Sequence, residues 1–197
     1  MKIEYSVTPD FYLWEEFRSG DDLAFGKIYK TYVDVLFRYG MKFTHDEELV
    51  KDCIQELFIE IYSHKQNLGR TNNIKLYLLK SLKRRIIKAI RFQSDYSSIN
   101  ETDAPFLITY TQNDGVFADE QTDKQTKEIQ KALTELSPRQ KEAIYLRFNT
   151  GLSYEEICEA MNLNYQSVRN LVFSAIEKMR INLSQTNMIL FFVSKQY

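Results

Sequence analysis

The chain reads as an all-α protein of two small helical domains joined by an acidic linker, the second domain a helix-turn-helix. Three observations lead there. Pro9, Pro105 and Pro138 fall at the ends of long periodic runs rather than inside them. Within those runs apolar residues recur at three- and four-residue spacing, the period of one helix face. Between residues 93 and 123 the period stops, and seven acids with no lysine or arginine fill the stretch, the composition of a solvated connector.

Composition sets outer limits. With 197 residues, 44% hydrophobic and 27% charged, the chain has room for one domain or two small ones. Lys and Arg number 26 against 27 Asp and Glu, so a uniformly basic coat is excluded and any basic surface must be local. The longest uninterrupted apolar run, residues 188–193, is far shorter than the ~18 residues of a spanning helix, which predicts no membrane insertion. Cys53 and Cys158 stand far apart inside apolar-periodic runs and read as buried thiols in a reducing compartment. Residues 1–10 hold no apolar core of signal-peptide length, so the expected location is cytoplasmic.

Residues 1–20 read as a lead-in. The first domain, 21–92, opens with a helix whose Phe25, Ile28, Tyr29, Tyr32, Leu36 and Tyr39 share a face, closed by Gly40. In the next helix, 47–62, Leu49, Val50, Cys53, Ile54, Leu57, Phe58 and Ile61 form the apolar stripe, leaving Glu48, Asp52, Glu56 and Glu60 to an acidic face. After a polar break at 66–73, a helix over 74–92 turns Leu78, Leu79, Leu82, Ile86 and Ile90 inward and stacks Lys80, Arg84, Lys88 and Arg91 as a basic ladder. The linker spans 93–123. The second domain, 124–184, contains Ser137-Pro138, an N-cap followed by proline at the first helical position. A tail, 185–197, carries an apolar run that needs an apolar surface.

Catalysis finds no support. His45 and His64 lack a second ligand at metal spacing and lack a nucleophile with an orienting acid, and no glycine-rich phosphate loop is present. The sequence therefore predicts no enzyme, no metal and no cofactor. Residues 151–175 are more specific. Ser153 with Glu156 forms a capping box on a short helix with Ile157, Ala160 and Met161 inward, and an Asn-Leu-Asn turn leads to a second helix packed by Val168, Leu171 and Ala175. That is helix-turn-helix spacing, and an ordinary helical hairpin is the plainer reading. In the major groove the second helix would present Gln166, Ser167, Arg169, Asn170, Phe173 and Ser174 to base edges.

Residues 65–91 hold nine positive charges and no acid, a pattern suited to phosphates. The adjoining loop offers Asn67, Gly69, Arg70, Thr71, Asn72 and Asn73 to an unstacked base, with Tyr77 as a stacking surface.

In order and spacing, over residues 10–183, these parts resemble the extracytoplasmic-function sigma factors of bacterial RNA polymerase. The segments that carry the resemblance are residues 20–32, 46–58 and 76–79, Leu136-Ser137-Pro138-Arg139-Gln140, and the helix-turn-helix. The resemblance implies a specificity subunit that recognises and melts promoter DNA. It gives Asp52, Gln55, Glu56 and Phe58 a role in docking the clamp of core RNA polymerase. The 66–73 loop becomes the pocket for a flipped −10 base, and Lys80, Arg84, Arg85 and Lys88 phosphate contacts of the melting helix. The helix beginning at Tyr165 would read the −35 element, although Ser174 stands where the family often has Arg or Lys. The linker resembles the segment that threads the polymerase, and many relatives are held by an anti-sigma factor. The competing reading is an autonomous helix-turn-helix regulator that binds an operator without polymerase.

Overall fold

The computed structural model describes residues 9–93, 104–108 and 120–183, and the chain divides into two units, Met1–Glu101 and Thr102–Tyr197. Among the described residues the regular structure is helical throughout. The first unit contains α1 (Pro9–Ser19), α2 (Asp22–Gly40), α3 (Glu47–Ser63), a 3-10 turn (Lys65–Asn67) and α4 (Ile74–Gln93). The second contains α5 (Glu120–Thr134), α6 (Pro138–Phe148), α7 (Tyr154–Met161) and α8 (Tyr165–Asn182).

Local chemistry starts most of these helices. Asp21 and Asp46 cap α2 and α3, their carboxylates accepting backbone N–H bonds from Leu23 and Ala24 and from Leu49. Ser137 with Gln140 and Ser153 with Glu156 form reciprocal capping boxes on α6 and α7, and Pro138 occupies the first turn of α6.

The lead-in is not a lead-in. Residues 9–19 form α1, which packs on α2, α4 and the 3-10 turn and places Trp14 and Phe17 fully inside the first unit's core. Ile28, Leu36, Tyr39, Leu57, Ile61, Ile74, Leu78, Leu79 and Leu82 complete that core. Burial of each such side chain is worth roughly 1.5–3 kcal/mol. Ile90 lies only half-buried near the end of α4, while Leu76 and Ile87 take inward positions.

Gly40 differs from expectation too. It does not end α2 in a left-handed conformation; it is the last helical residue, and Met41 follows as the cap in the ordinary right-handed region. A Cβ on Gly40 would stand 2.6 Å from Cγ1 of Val50 on α3 and 3.0 Å from Cδ1 of Ile86 on α4. The glycine is there because three helices meet at its Cα.

In the second unit α8 turns Val168, Val172, Ala175 and Met179 inward, with Leu171 only half-buried, so the packed stripe is shifted by one residue at its second position. In α7, Ile157 and Met161 are buried and Ala160 is half-buried. Cys53 is buried as expected, whereas Cys158 is half-exposed because it sits one residue beyond the α7 stripe. Within the predicted linker, residues 104–108 alternate Ala104, Phe106 and Ile108 inward, and the Phe106 ring meets Tyr145 of α6 edge-on at 5.7 Å. That part of the predicted linker therefore contributes to a packed core.

Two glycines of α2 should respond in opposite directions. Gly26→Ala adds a Cβ that meets nothing within 4 Å and should raise stability by roughly 0.5–1 kcal/mol through helix propensity. Gly40→Ala should lower it by about 1–2 kcal/mol, since overpacking outweighs the same propensity gain. Urea midpoints of both variants measure this, and shifts of equal sign would show that Val50 and Ile86 give way.

Candidate nucleic-acid interface

The loop at 66–73 is held from below by α1. Trp14 Nε1–H donates to the Gly69 carbonyl at 2.9 Å, and Arg70 Nε lies 3.4 Å from Glu15 Oε2. Asp10 Oδ2 accepts the Ile74 N–H at 3.0 Å and also receives the Tyr32 hydroxyl, tying the first turns of α1 and α4 to α2. Burial and the neighbouring Asp10 charge push the Tyr32 phenol well above its ordinary range, so that it stays a donor. Thr71 Oγ1 accepts the Asn73 N–H and donates to the Asn73 carbonyl, while Asn73 Oδ1 caps α4 through Leu76 N–H at 2.8 Å. These residues shape the loop. Asn67 and Asn72 are its exposed amides, and Asn67 lines a cavity of about 370 Å³ with Tyr62, Ser63, His64, Lys65 and Gln66. Tyr77 is half-buried, its ring tilted by 57° against Trp14 at 5.0 Å, so part of it is already packed within the protein.

The basic ladder of α4 divides by angle around the helix. Arg84 and Lys88 are exposed, four residues apart on one face, with Lys80 half-buried one turn earlier. Lys83 is buried, its ammonium 6.0 Å from the Phe43 ring. Arg85 points across to α3, where it pairs with Glu60 and stands 3.4 Å from Glu56 Oε2. Arg85 is thus engaged with α3 within the fold, unlike the exposed Arg84 and Lys88.

The expected polymerase set separates in the same way. Gln55 and Phe58 line an apolar groove of about 700 Å³ between α2 and α3, shared with Phe25, Tyr29, Val33, Phe37, Ile54, Ile59 and Tyr62. Phe58 is only 3% exposed and serves as groove floor, its ring 4.8 Å from Tyr29. Ile59, 57% exposed at the groove rim, is the surface apolar residue that the sequence pattern concealed, because it lies off the buried stripe. Asp52 and Glu56 instead line a second groove, of about 740 Å³, between α3 and α4. Cys53 lies in that groove, and burial, then the Glu56 charge, push its thiol up to about 11.

On α8 the exposed side chains Gln166, Arg169, Asn170 and Phe173 share one face, Arg169 and Asn170 each lying three or four residues from both Gln166 and Phe173. Gln166 Nε2 donates to Asn170 Oδ1 at 2.9 Å, which orients both amides before any partner arrives. Asn162, at φ 51° in the left-handed region, closes α7, and Asn164 Oδ1 caps α8 through Ser167 N–H. The motif is a formed helix-turn-helix. Ser167 is half-buried over that cap, and Ser174 turns toward α6, its hydroxyl accepting from Gln140 Nε2 at 2.8 Å. Ser174 is therefore engaged in helix packing, apart from the exposed face of Gln166, Arg169, Asn170 and Phe173.

Comparisons agree with this geometry. Residues 28–95 match the family model of sigma-70 region 2, and residues 126–179 match sigma-70 region 4. The chain is 24% identical over 162 residues to the ECF RNA polymerase sigma factor SigM of Bacillus subtilis (strain 168), covering 80% of this chain and 94% of that protein. It is 26% identical over 152 residues to the RNA polymerase sigma factor SigV of the same strain, covering 77% and 86%. Among solved structures, CnrH in complex with the cytosolic domain of CnrY matches with a TM-score of 0.58 at 17% identity, over 87% of this chain and 95% of that one. The sigma factor RpoE in complex with the anti-sigma factor NepR from Bartonella quintana matches with 0.56 at 17%, over 80% and 94%. The chain belongs to the sigma-70 family, within its extracytoplasmic-function group. Helix α1 lies outside both matched regions. Its signals, Pro9 at a helix start and Trp14 three residues before Phe17, were present but too short to read as an element.

Trp14→Phe keeps the ring against Tyr77 and removes the N–H bond to Gly69. The expected loss is about 1 kcal/mol in urea unfolding, with faster amide exchange confined to 66–73. Unchanged exchange there would show that the loop holds itself.

Proposed function

We propose that the two units divide promoter reading between them. As a sigma factor the chain directs core RNA polymerase to promoters, and the reading offered here assigns the surfaces. The α2–α3 groove, with Gln55 and Ile59 at its opening, docks the polymerase clamp, and Asp52 and Glu56 extend that contact. Asn67, Arg70 and Asn72 of the 66–73 loop meet an unstacked −10 base, with Lys80, Arg84 and Lys88 on the adjoining phosphates. Gln166, Arg169, Asn170 and Phe173 read the −35 element in the major groove. Phosphate contacts position the protein, base contacts specify, and capture of an unstacked base favours strand opening.

Charge separation across the first unit carries the reading. Residues 65–91 place nine cations against an acidic α3, a division suited to two different macromolecular partners. Neither surface needs a catalytic group; the protein acts by selection, in the cytoplasm, while polymerase performs the chemistry. No helix among the described residues is long and apolar enough to cross a membrane. The solved complex of a similar fold with an anti-sigma factor supports such a regulator for this chain as well.

The test is copurification with core polymerase followed by transcription from a randomised promoter library. Glu56→Lys would also set a second cation beside Arg85 at the α3–α4 seam, so Ile59→Asp is the cleaner variant, exposed enough to leave the core intact. It should lose both copurification and initiation. Tight DNA binding by the protein alone, unchanged by polymerase, would overturn the reading in favour of an autonomous operator-binding regulator.

The two DNA surfaces should also separate by salt and sequence. Arg169→Ala should lower discrimination at one −35 position by roughly 5- to 100-fold, the loss of one good base contact. Arg84→Ala should weaken complex formation on all promoters alike and reduce the slope of log affinity against log salt by about 1.

A further inference from the structure

Asn170 lies in the middle of the exposed face of α8, one turn after Gln166 and just before Phe173 in the helical stacking. Gln166 Nε2 donates to its Oδ1 at 2.9 Å, and the bond affects the two amides unequally. A surface asparagine can rotate its amide by half a turn at little cost and present donor and acceptor in either order. A donor held on Oδ1 removes that choice, since it keeps the oxygen on the Gln166 side and Nδ2 on the other. Oδ1 retains one lone pair, and among the described residues no other group binds Nδ2. What Asn170 offers is therefore one acceptor beside one donor in a fixed order. Adenine matches that pair in the major groove, its N6–H donating and its N7 accepting. Guanine presents two acceptors there, cytosine a donor alone, and thymine an acceptor beside a methyl group, so each leaves half of the amide unpaired.

We infer that Asn170 reads adenine at one position of the −35 element, and that Gln166 is a positioning residue that fixes the order in which Asn170 presents its two groups. The inference rests on the assignment of α8 to that element and deepens it. Pre-orientation matters because an amide already held in its binding rotamer loses less freedom when the base arrives.

The experiment selects −35 sequences from a randomised duplex library with the full chain, once bound to core polymerase and once alone. The proteins compared are wild type, Asn170→Ala, Gln166→Met and the double variant; methionine keeps the length of the glutamine side chain without its donor. Wild type should prefer adenine at one position by roughly 5- to 100-fold. Asn170→Ala should lose that preference and leave the neighbouring positions as they were. Gln166→Met should weaken it about 2- to 10-fold at the same position and change nothing further once Asn170 is gone. Selected sites remade with 7-deazaadenine, which lacks the N7 acceptor, should bind wild type about 2- to 10-fold more weakly and Asn170→Ala no differently. An adenine preference that survives Asn170→Ala, or that ignores 7-deazaadenine, would overturn the inference in favour of readout through groove shape. A loss at a different position in Gln166→Met would overturn it by making Gln166 a reader in its own right. The two arms keep the inference apart from the sigma reading. An Asn170-dependent preference shown by the protein alone and unchanged by polymerase would uphold the inference and strike that reading, whereas polymerase-dependent selection in which no position answers to Asn170 would do the reverse.

Discussion

The first unit depends on how α1 is docked. Asp10 receives the first N–H of α4 and the Tyr32 hydroxyl, and Trp14 gives its indole N–H to Gly69 while its ring lies against Tyr77. An exposed polar loop has little of its own to fix its shape, because water competes for each of its hydrogen bonds. Here a buried aromatic and a carboxylate supply that shape from the preceding helix. The start of the basic helix and the loop before it are therefore oriented as one piece.

A second constraint is the close approach at Gly40, where α2 meets α3 and α4 without room for a side chain. It brings the acidic and basic helices near enough for Arg85 to reach Glu56 and Glu60. Pairs as exposed as these contribute little to stability. Their consequence is one of assignment: Arg85 and Glu56, expected on separate partner surfaces, neutralise each other at the seam between them. Facing outward are Arg84 and Lys88 on α4, the exposed carboxylates of Asp52 and Glu56 on α3, and an apolar groove rimmed by Ile59 on the other side of α3.

The second unit uses polar groups more economically. Gln140 closes the capping box of α6 through its Oε1 and reaches Ser174 of α8 through its Nε2. One side chain thus starts α6 and sets the rotation of α8. Ser174 is used from within, so Gln166, Arg169, Asn170 and Phe173 are left to face outward together.

The all-helical class, the two capping boxes and the helix-turn-helix were legible in the sequence because their causes are local. A capping box closes over three residues and an amphipathic face repeats every three or four. The family resemblance rested on the same local segments. Tertiary structure decided the rest. Asp10 and Ile74 are 64 positions apart, and no local pattern pairs them. Gly40 looks like a helix terminator until Val50 and Ile86 are placed beside it. Charge count alone placed Lys83 and Arg85 in the same basic run as Arg84 and Lys88, whereas neighbouring helices drew the first two inward or across. The sequence by itself determined the helices after α1 and the charge each carries, since those follow from residues a few positions apart. Only the packed structure decided which of those charges remain available to a partner, since that depends on what stands opposite each side chain.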